Sequence, residues 1–263
     1  MWTRQLLKQN GKIAFKRNYW SCVAASFIIG LLAGGSGGSN SANDSSDSGN
    51  LNISLHDVPD FVWIIIGIAA ILAILLAILV SSVVEVGGKR YYLENREHKT
   101  PVSQVFWGFR EGRYGNNVWI IFMRNVYIAL WSMLFLVPGI IKSYSYKLIP
   151  YILAENPDIS KNRAFEISKQ AMNGRKWDAF VLDLSFLGWE ILSIFTFGIL
   201  NIFYVKPYVD ATQAEFYSAI KAEAIQKGIT DSIELPGVRY QEPVFADEPI
   251  FTEEPVQDFT QEF

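Results

Sequence analysis

Six of the ionisable side chains inside otherwise apolar stretches form a candidate set: Arg124, Lys147, Asp183, Glu190, Lys206 and Asp210. Three are basic and three acidic, so they can neutralise one another. A charge at bilayer depth costs roughly 2.5–3.5 kcal/mol on insertion scales, which drives such groups to face a protein interior or water and to pair. Asp183 and Glu190 share a face of one helix, and Lys206 and Asp210 share a face of the next. If those helices are antiparallel, Glu190 and Lys206 come to similar depth. Asp183 and Asp210 then lie nearer the cytoplasm, within reach of Arg124. The set reads either as a polar track for an ion, proton or small solute, or as structural ion pairs.

Other chemistry has little material. One cysteine, Cys22, and two histidines, His56 and His98, leave no disulfide framework and no zinc cluster. No H-E-x-x-H or phosphate-loop motif occurs. The expectation is a non-enzymatic chain with no catalytic residue, metal or cofactor.

The elements that must position the six charges are helices, and the expected fold class is all-α: a polytopic transmembrane bundle of about six spans with a disordered acidic tail. Phe61–Val84 is a run of 24 residues without a charge, about 36 Å of helix against a hydrocarbon core of roughly 30 Å. The other expected spans are Tyr19–Gly35, Val118–Val137, Ile140–Ala154, Ala179–Phe197 and Ile199–Ile220, together a membrane domain over 19–222. Pro138 and Gly139 are expected to turn the chain between the third and fourth, although one long kinked helix over 118–154 is the alternative. Gly198 allows a turn before the last span, and Pro207 breaks that span from within. Between them, 160–174 reads as a short amphipathic helix, capped by Ser160 and stopped by Gly174.

Orientation follows from the bases. Residues 85–117 carry six Lys/Arg and residues 155–178 carry five, which places both loops, with both termini, in the cytoplasm. Residues 34–60 hold Gly, Ser, Asn and Asp without a base and read as a flexible external loop. The first 18 residues have no acid and five bases, Arg4, Lys8, Lys12, Lys16 and Arg17. This is the pattern of an interfacial helix lying on anionic lipid, and the lipid bilayer rather than nucleic acid is the partner it implies.

The chain's formal net charge of −3 conceals a strong segregation, because residues 228–263 hold −8 and the rest +5. The segment 223–263 reads as a cytoplasmic disordered tail with a protein partner docking on Phe245, Phe251 and Phe259, placed among Glu-Pro repeats. The bundle is expected not to need the residues after Gly228.

Several strings resemble a known family: Asn18-Tyr19-Trp20, Leu130-Trp131, Val137-Pro138-Gly139-Ile140-Ile141-Lys142-Ser143-Tyr144, Glu155-Asn156-Pro157, Leu184-Ser185-Phe186-Leu187-Gly188-Trp189, and Pro207-Tyr208 followed by Phe216-Tyr217. Over about residues 4–220 the chain resembles the domain of unknown function 975 family of bacterial integral membrane proteins. The resemblance implies a multi-pass protein of the bacterial cytoplasmic membrane, from a Gram-positive organism, and supplies no catalytic residues.

Overall fold

Thr3 opens the first helix, its hydroxyl accepting the amide of Leu6, and the chain then runs through α1, Arg4–Arg17, and α2, Tyr19–Leu32. A long α3, Asp60–Asn95, is followed by a 3-10 helix, Val102–Phe109, α4, Tyr114–Leu134, and α5, Leu136–Ser145. The remainder is α6, Ile149–Glu155, α7, Lys161–Ala171, α8, Lys176–Leu184, α9, Leu187–Phe195, a π-helical turn, Asn201–Val205, and α10, Lys206–Gln226. This is a computed structural model, and residues 2–32, 60–109 and 114–238 are described. Among them the fold is all-helical, without strands.

The packed core lies where the last turns of α3 meet α1, α2, α6 and α10. Tyr91, Tyr92, Phe15, Ile149, Ile152, Phe216 and Tyr217 are fully buried there. Polar side chains fix the crossings. Asn18 donates to the side chain of Asn95 and to the carbonyl of Thr100, while Asn95 donates to the carbonyl of Ala14. The Arg17 guanidinium donates to the carbonyls of Asn95 and Glu97. It thereby satisfies acceptors that the end of α3 leaves open.

The two readings of 118–154 separate cleanly. The chain folds back at Phe135, whose extended backbone (φ −154, ψ 139) interrupts the helix. By Pro157 and Ile159 it has returned to the level of Asn116, whose side-chain amide donates to both carbonyls. The hairpin is therefore present, but its turn precedes Pro138 and Gly139. Pro138 occupies the first turn of α5, where its missing amide costs nothing. Gly139 lies against Ser132, where an added Cβ would come within 2.7 Å of the Ser132 Cα. The amphipathic helix expected near 160–174 is α7, with Ser160 accepting from Arg163 and Gly174 ending it at φ 77. Phe197 (φ 51) and Gly198 (φ 80) make the turn between α9 and the π turn.

Three expectations about the spans are corrected. Ile140–Ala154 is not one helix, because Pro150 has no amide to continue α5, and residues 149–154 of α6 are buried in the core. Ala179–Phe197 is two nine-residue helices, α8 and α9, broken at Ser185–Phe186. The last expected span begins as a π turn, which absorbs the amide that Pro207 lacks, and its α-helical part buries Asp210, Gln213 and Glu215. Among the described residues one helix, Tyr114–Leu134, has the length and apolar composition to cross a membrane, and Tyr19–Leu32 is a shorter apolar helix.

The tail boundary also moves. Residues 223–226 belong to α10, and residues 229–238 fold back onto the body. Leu235 is buried, Asn156 donates to the carbonyl of Glu234, and Gly237 donates its amide to the Glu155 carboxylate. Arg163 forms a paired contact with the Glu234 carboxylate at 2.7 and 2.9 Å and donates to the carbonyl of Ile229. Phe245, Phe251 and Phe259 lie outside the described residues, as do 34–59 of the expected external loop.

The hydrogen bonds from Arg163 hold the Glu234 carboxyl below its ordinary value of 4.5. A carboxyl depressed by folding adds stability above its unfolded value and loses it as the pH falls through the folded one. Glu234→Gln should therefore lower the melting temperature at pH 7, and the difference from wild type should shrink progressively below about pH 4.5. An undiminished difference at pH 3 would show that the charge of Glu234 is not what holds the segment.

Candidate functional site

The inward face of α10 gathers the charges. Asp210 is 3 % exposed and lies between two ammonium groups, Lys89 of α3 at 3.4 Å and Lys206 one turn earlier at 3.7 Å. Ser26 of α2 donates to Asp210 at 3.1 Å and is itself 2.6 Å from the Tyr92 hydroxyl. A few residues along, Gln213 donates its amide to Asp183 of α8, which also pairs with Lys147 at 2.8 Å and accepts from the Tyr144 hydroxyl at 2.9 Å. Lys89 lies 5.3 Å above the ring of Tyr151, and Tyr151 stacks on Tyr217 with ring centres 4.9 Å apart. At the lower end Lys221 pairs with Glu155.

Of the six charges read from the sequence, four join this network: Lys147, Asp183, Lys206 and Asp210. Arg124 is paired elsewhere, through two contacts to Glu85 of α3 at 2.7 and 3.1 Å. It was expected beside Asp183 and Asp210, but Glu85 is the carboxylate that its helix faces. Glu190 makes no ion pair among the described residues, and the expected match with Lys206 fails because Lys206 pairs along its own helix with Asp210.

Lys89 and Glu85 could not be picked out as partners beforehand. They follow the uncharged run of α3 and look like ordinary residues closing a span. The depth to which the end of α3 is buried is a tertiary fact. Gln213 and Tyr151 carry no distinctive spacing alone, although Lys206, Asp210, Gln213 and Tyr217 recur at the helical period.

The basic N-terminal stripe divides in two. Leu7, Gly11, Ala14 and Phe15 bury one face of α1 against the body, with Gly11 at the crossing with Thr212. Lys8 is drawn in, donating to the carbonyl of Ser185 and lying 4.2 Å above the Phe186 ring, and Arg17 caps α3 as described. Lys8 and Arg17 are thus held by protein groups. Arg4, Lys12 and Lys16 remain exposed, beside the exposed side chains of Leu6, Ile13 and Trp20.

No group of three or more histidine, cysteine or carboxylate ligands that could hold a metal occurs among the described residues. Cys22 is a buried free thiol near Tyr91 and Asn95.

Residues 135–224 match the model of a family described as protein of unknown function (DUF975). Over that stretch the chain is similar to the DUF975 family. The matched stretch begins at the turn into α5 and ends within α10, so the DUF975 region contains Lys147, Asp183, Glu190, Lys206 and Asp210, while Arg124, Glu85 and Lys89 lie before it. The resemblance noted at Asn18-Tyr19-Trp20 and Leu130-Trp131 also precedes it. No curated protein and no solved structure matches the chain.

Proposed function

We propose that this chain is a multi-pass integral protein of the bacterial cytoplasmic membrane, with both termini inside. In this reading it is non-enzymatic and works by organising the membrane or binding a partner there. The observation that carries the proposal is the distribution of exposed apolar surface. Trp63, Ile64, Ile65, Ile66, Gly67 and Ile68 of α3 are consecutive and all exposed. Six successive residues cover more than a full helical turn, so no face of α3 at this level is covered by the described residues. Met133 to Val137 at the turn between α4 and α5, and Ile194, Phe195 and Phe197 after α9, are exposed in the same way. Apolar patches of this extent need a cover, and lipid supplies one without further protein.

The six expected passes belong to this proposal in three hairpins: α2 with α3, α4 with α5 and α6, and α8 and α9 with the π turn and α10. Exposed Trp20, Trp119 and Trp177 stand near the starts of α2, α4 and α8, the positions at which tryptophan favours the headgroup level. Arg4, Lys12 and Lys16, with Leu6 and Ile13, form the face that would rest on anionic lipid.

Single cysteines at Ser46 and at the exposed Gln170, with Cys22 replaced by serine, test the topology. An impermeant thiol reagent on intact cells should label the first and spare the second. Labelling of Gln170→Cys alone would sink the proposed orientation, and release of the protein from membranes by alkaline carbonate would sink the membrane reading itself.

A further inference from the structure

Asn201, Lys206, Asp210, Gln213, Tyr217 and Lys221 form one continuous polar line. Five of them lie in α10, where 100° per residue places them within a sector of roughly 80°. The sixth, Asn201, opens the π turn that leads into that helix. From Asn201 to Lys221 the line is about 30 Å long, close to the thickness of a hydrocarbon core.

Four buried polar atoms along this line have no hydrogen-bond partner: the Gln213 carbonyl oxygen, the Asn201 carbonyl oxygen, the Tyr217 hydroxyl and the hydroxyl of Tyr151, which stacks on Tyr217. Tyr151 is 3 % and Gln213 is 7 % exposed, so both are more than nine-tenths buried. Ordered water is the usual partner of such groups in a folded protein. The lower end of the line opens to a cavity of about 210 Å³ lined by Glu155, Lys221, Arg96 and Ser218, with Gly237 at its edge.

We propose that this face of α10 holds a file of internal water that conducts protons between the cavity at Glu155 and Lys221 and the Asn201 end, with Asp210 as the group protonated on the way. The proposal rests on the membrane reading, since conduction has meaning only across a bilayer. A proton leaves a hydronium ion in the cavity and passes through water between the Tyr151 hydroxyl and the Gln213 amide. It then forms an O–H bond on a carboxylate oxygen of Asp210. That bond breaks when the proton moves to water beside Lys206 and Asn201, leaving Asp210 as it was.

The charged and titratable groups facing this route are Lys89 and Tyr92 of α3, Lys147 between α5 and α6, Asp183 of α8 and Glu155 of α6. Around Asp210 and Asp183, three ammonium groups meet two carboxylates. A lysine can release and regain a proton, which an arginine at the same place could not do.

Brief radiolytic hydroxyl labelling of the full chain in micelles, read by mass spectrometry, tests for the water. Tyr151 and Tyr91 are both nearly inaccessible, but the Tyr91 hydroxyl lies away from the route, against Cys22 and Asn18, so Tyr151 should be labelled at least about tenfold faster because reactive radicals form in adjacent bound water. Gln213→Leu should remove most of that excess. Equal labelling of the two tyrosines would overturn the proposal.

Proton flux into vesicles under a potassium-valinomycin potential tests conduction. Wild type should exceed protein-free vesicles, and Asp210→Asn should reduce the excess at least about fivefold. Asn201→Leu, away from the ion pairs, should also reduce it and serves if Asp210→Asn does not fold. Fast labelling of Tyr151 with flux no greater than in protein-free vesicles would overturn the conduction. Release of wild-type protein from the vesicles by alkaline carbonate would instead refute the membrane reading, while the micelle labelling would still decide whether the water file exists.

Discussion

Cutting the chain after Gly228 should lower its unfolding free energy by about 3–5 kcal/mol, while cutting after Val238 should change it by less than about 0.5 kcal/mol. The first cut removes Leu235, which is buried at 2 % exposure, and the carbonyl of Ile229 and carboxylate of Glu234 that hold Arg163. It also removes the Gly237 amide that donates to Glu155. Burial of a leucine side chain contributes about 1.5–3 kcal/mol, and the cavity left by its loss adds to that. The partly exposed ion pair contributes about 1 kcal/mol or less. Leu235→Ala should therefore account for most of the loss. Chemical denaturation of the full chain, both truncations and Leu235→Ala in the same detergent checks this. Equal stability of the two truncations would mean that the docked segment is incidental to the fold.

Among the described glycines, Gly87→Ala should be the most damaging added methyl, lowering stability by about 3 kcal/mol or preventing the folded state from accumulating. A Cβ at Gly87 would sit 1.9 Å from the carbonyl oxygen of Val105, and that neighbour is backbone rather than a side chain that can rotate away. Relief would require the 3-10 helix over Val102–Phe109 to move off α3, uncovering Val105 and Trp107. Gly30→Ala in α2 is the matched control, because nothing lies within 4 Å of the position where its Cβ would go. There the gain in helix propensity, up to about 1 kcal/mol, should appear unopposed. Thermal unfolding of the two variants beside wild type checks both. Similar behaviour of the pair would show that α3 and the 3-10 helix are not packed as closely as described.

Local signals in the sequence determined a good part of this. Ser160 and Gly174 delimit α7 because a cap hydroxyl and a left-handed glycine act within a few residues of themselves. The all-helical class, the long α3 and the turn at Gly198 were legible for the same reason. So was the shared face of Lys206 and Asp210, since residues four apart on a helix are neighbours, although the sequence reading set Lys206 level with Glu190.

The rest depends on which surfaces meet. Whether an apolar stretch is one helix or two is decided by small local choices, such as the extended Phe135 or the bend at Ser185, that hydropathy does not register. The pairing of Arg124 with Glu85, and of Asp210 with Lys89, required knowing how α4 and α10 lie on α3. The composition of the acidic tail concealed Leu235 and Glu234, because one buried leucine and one matched arginine are enough to dock ten residues that an average over the segment marks as disordered. The polar line of α10 combines both levels. Its spacing is written in the sequence, but its burial and the partners left missing along it exist only once α3, α6 and α8 close over it.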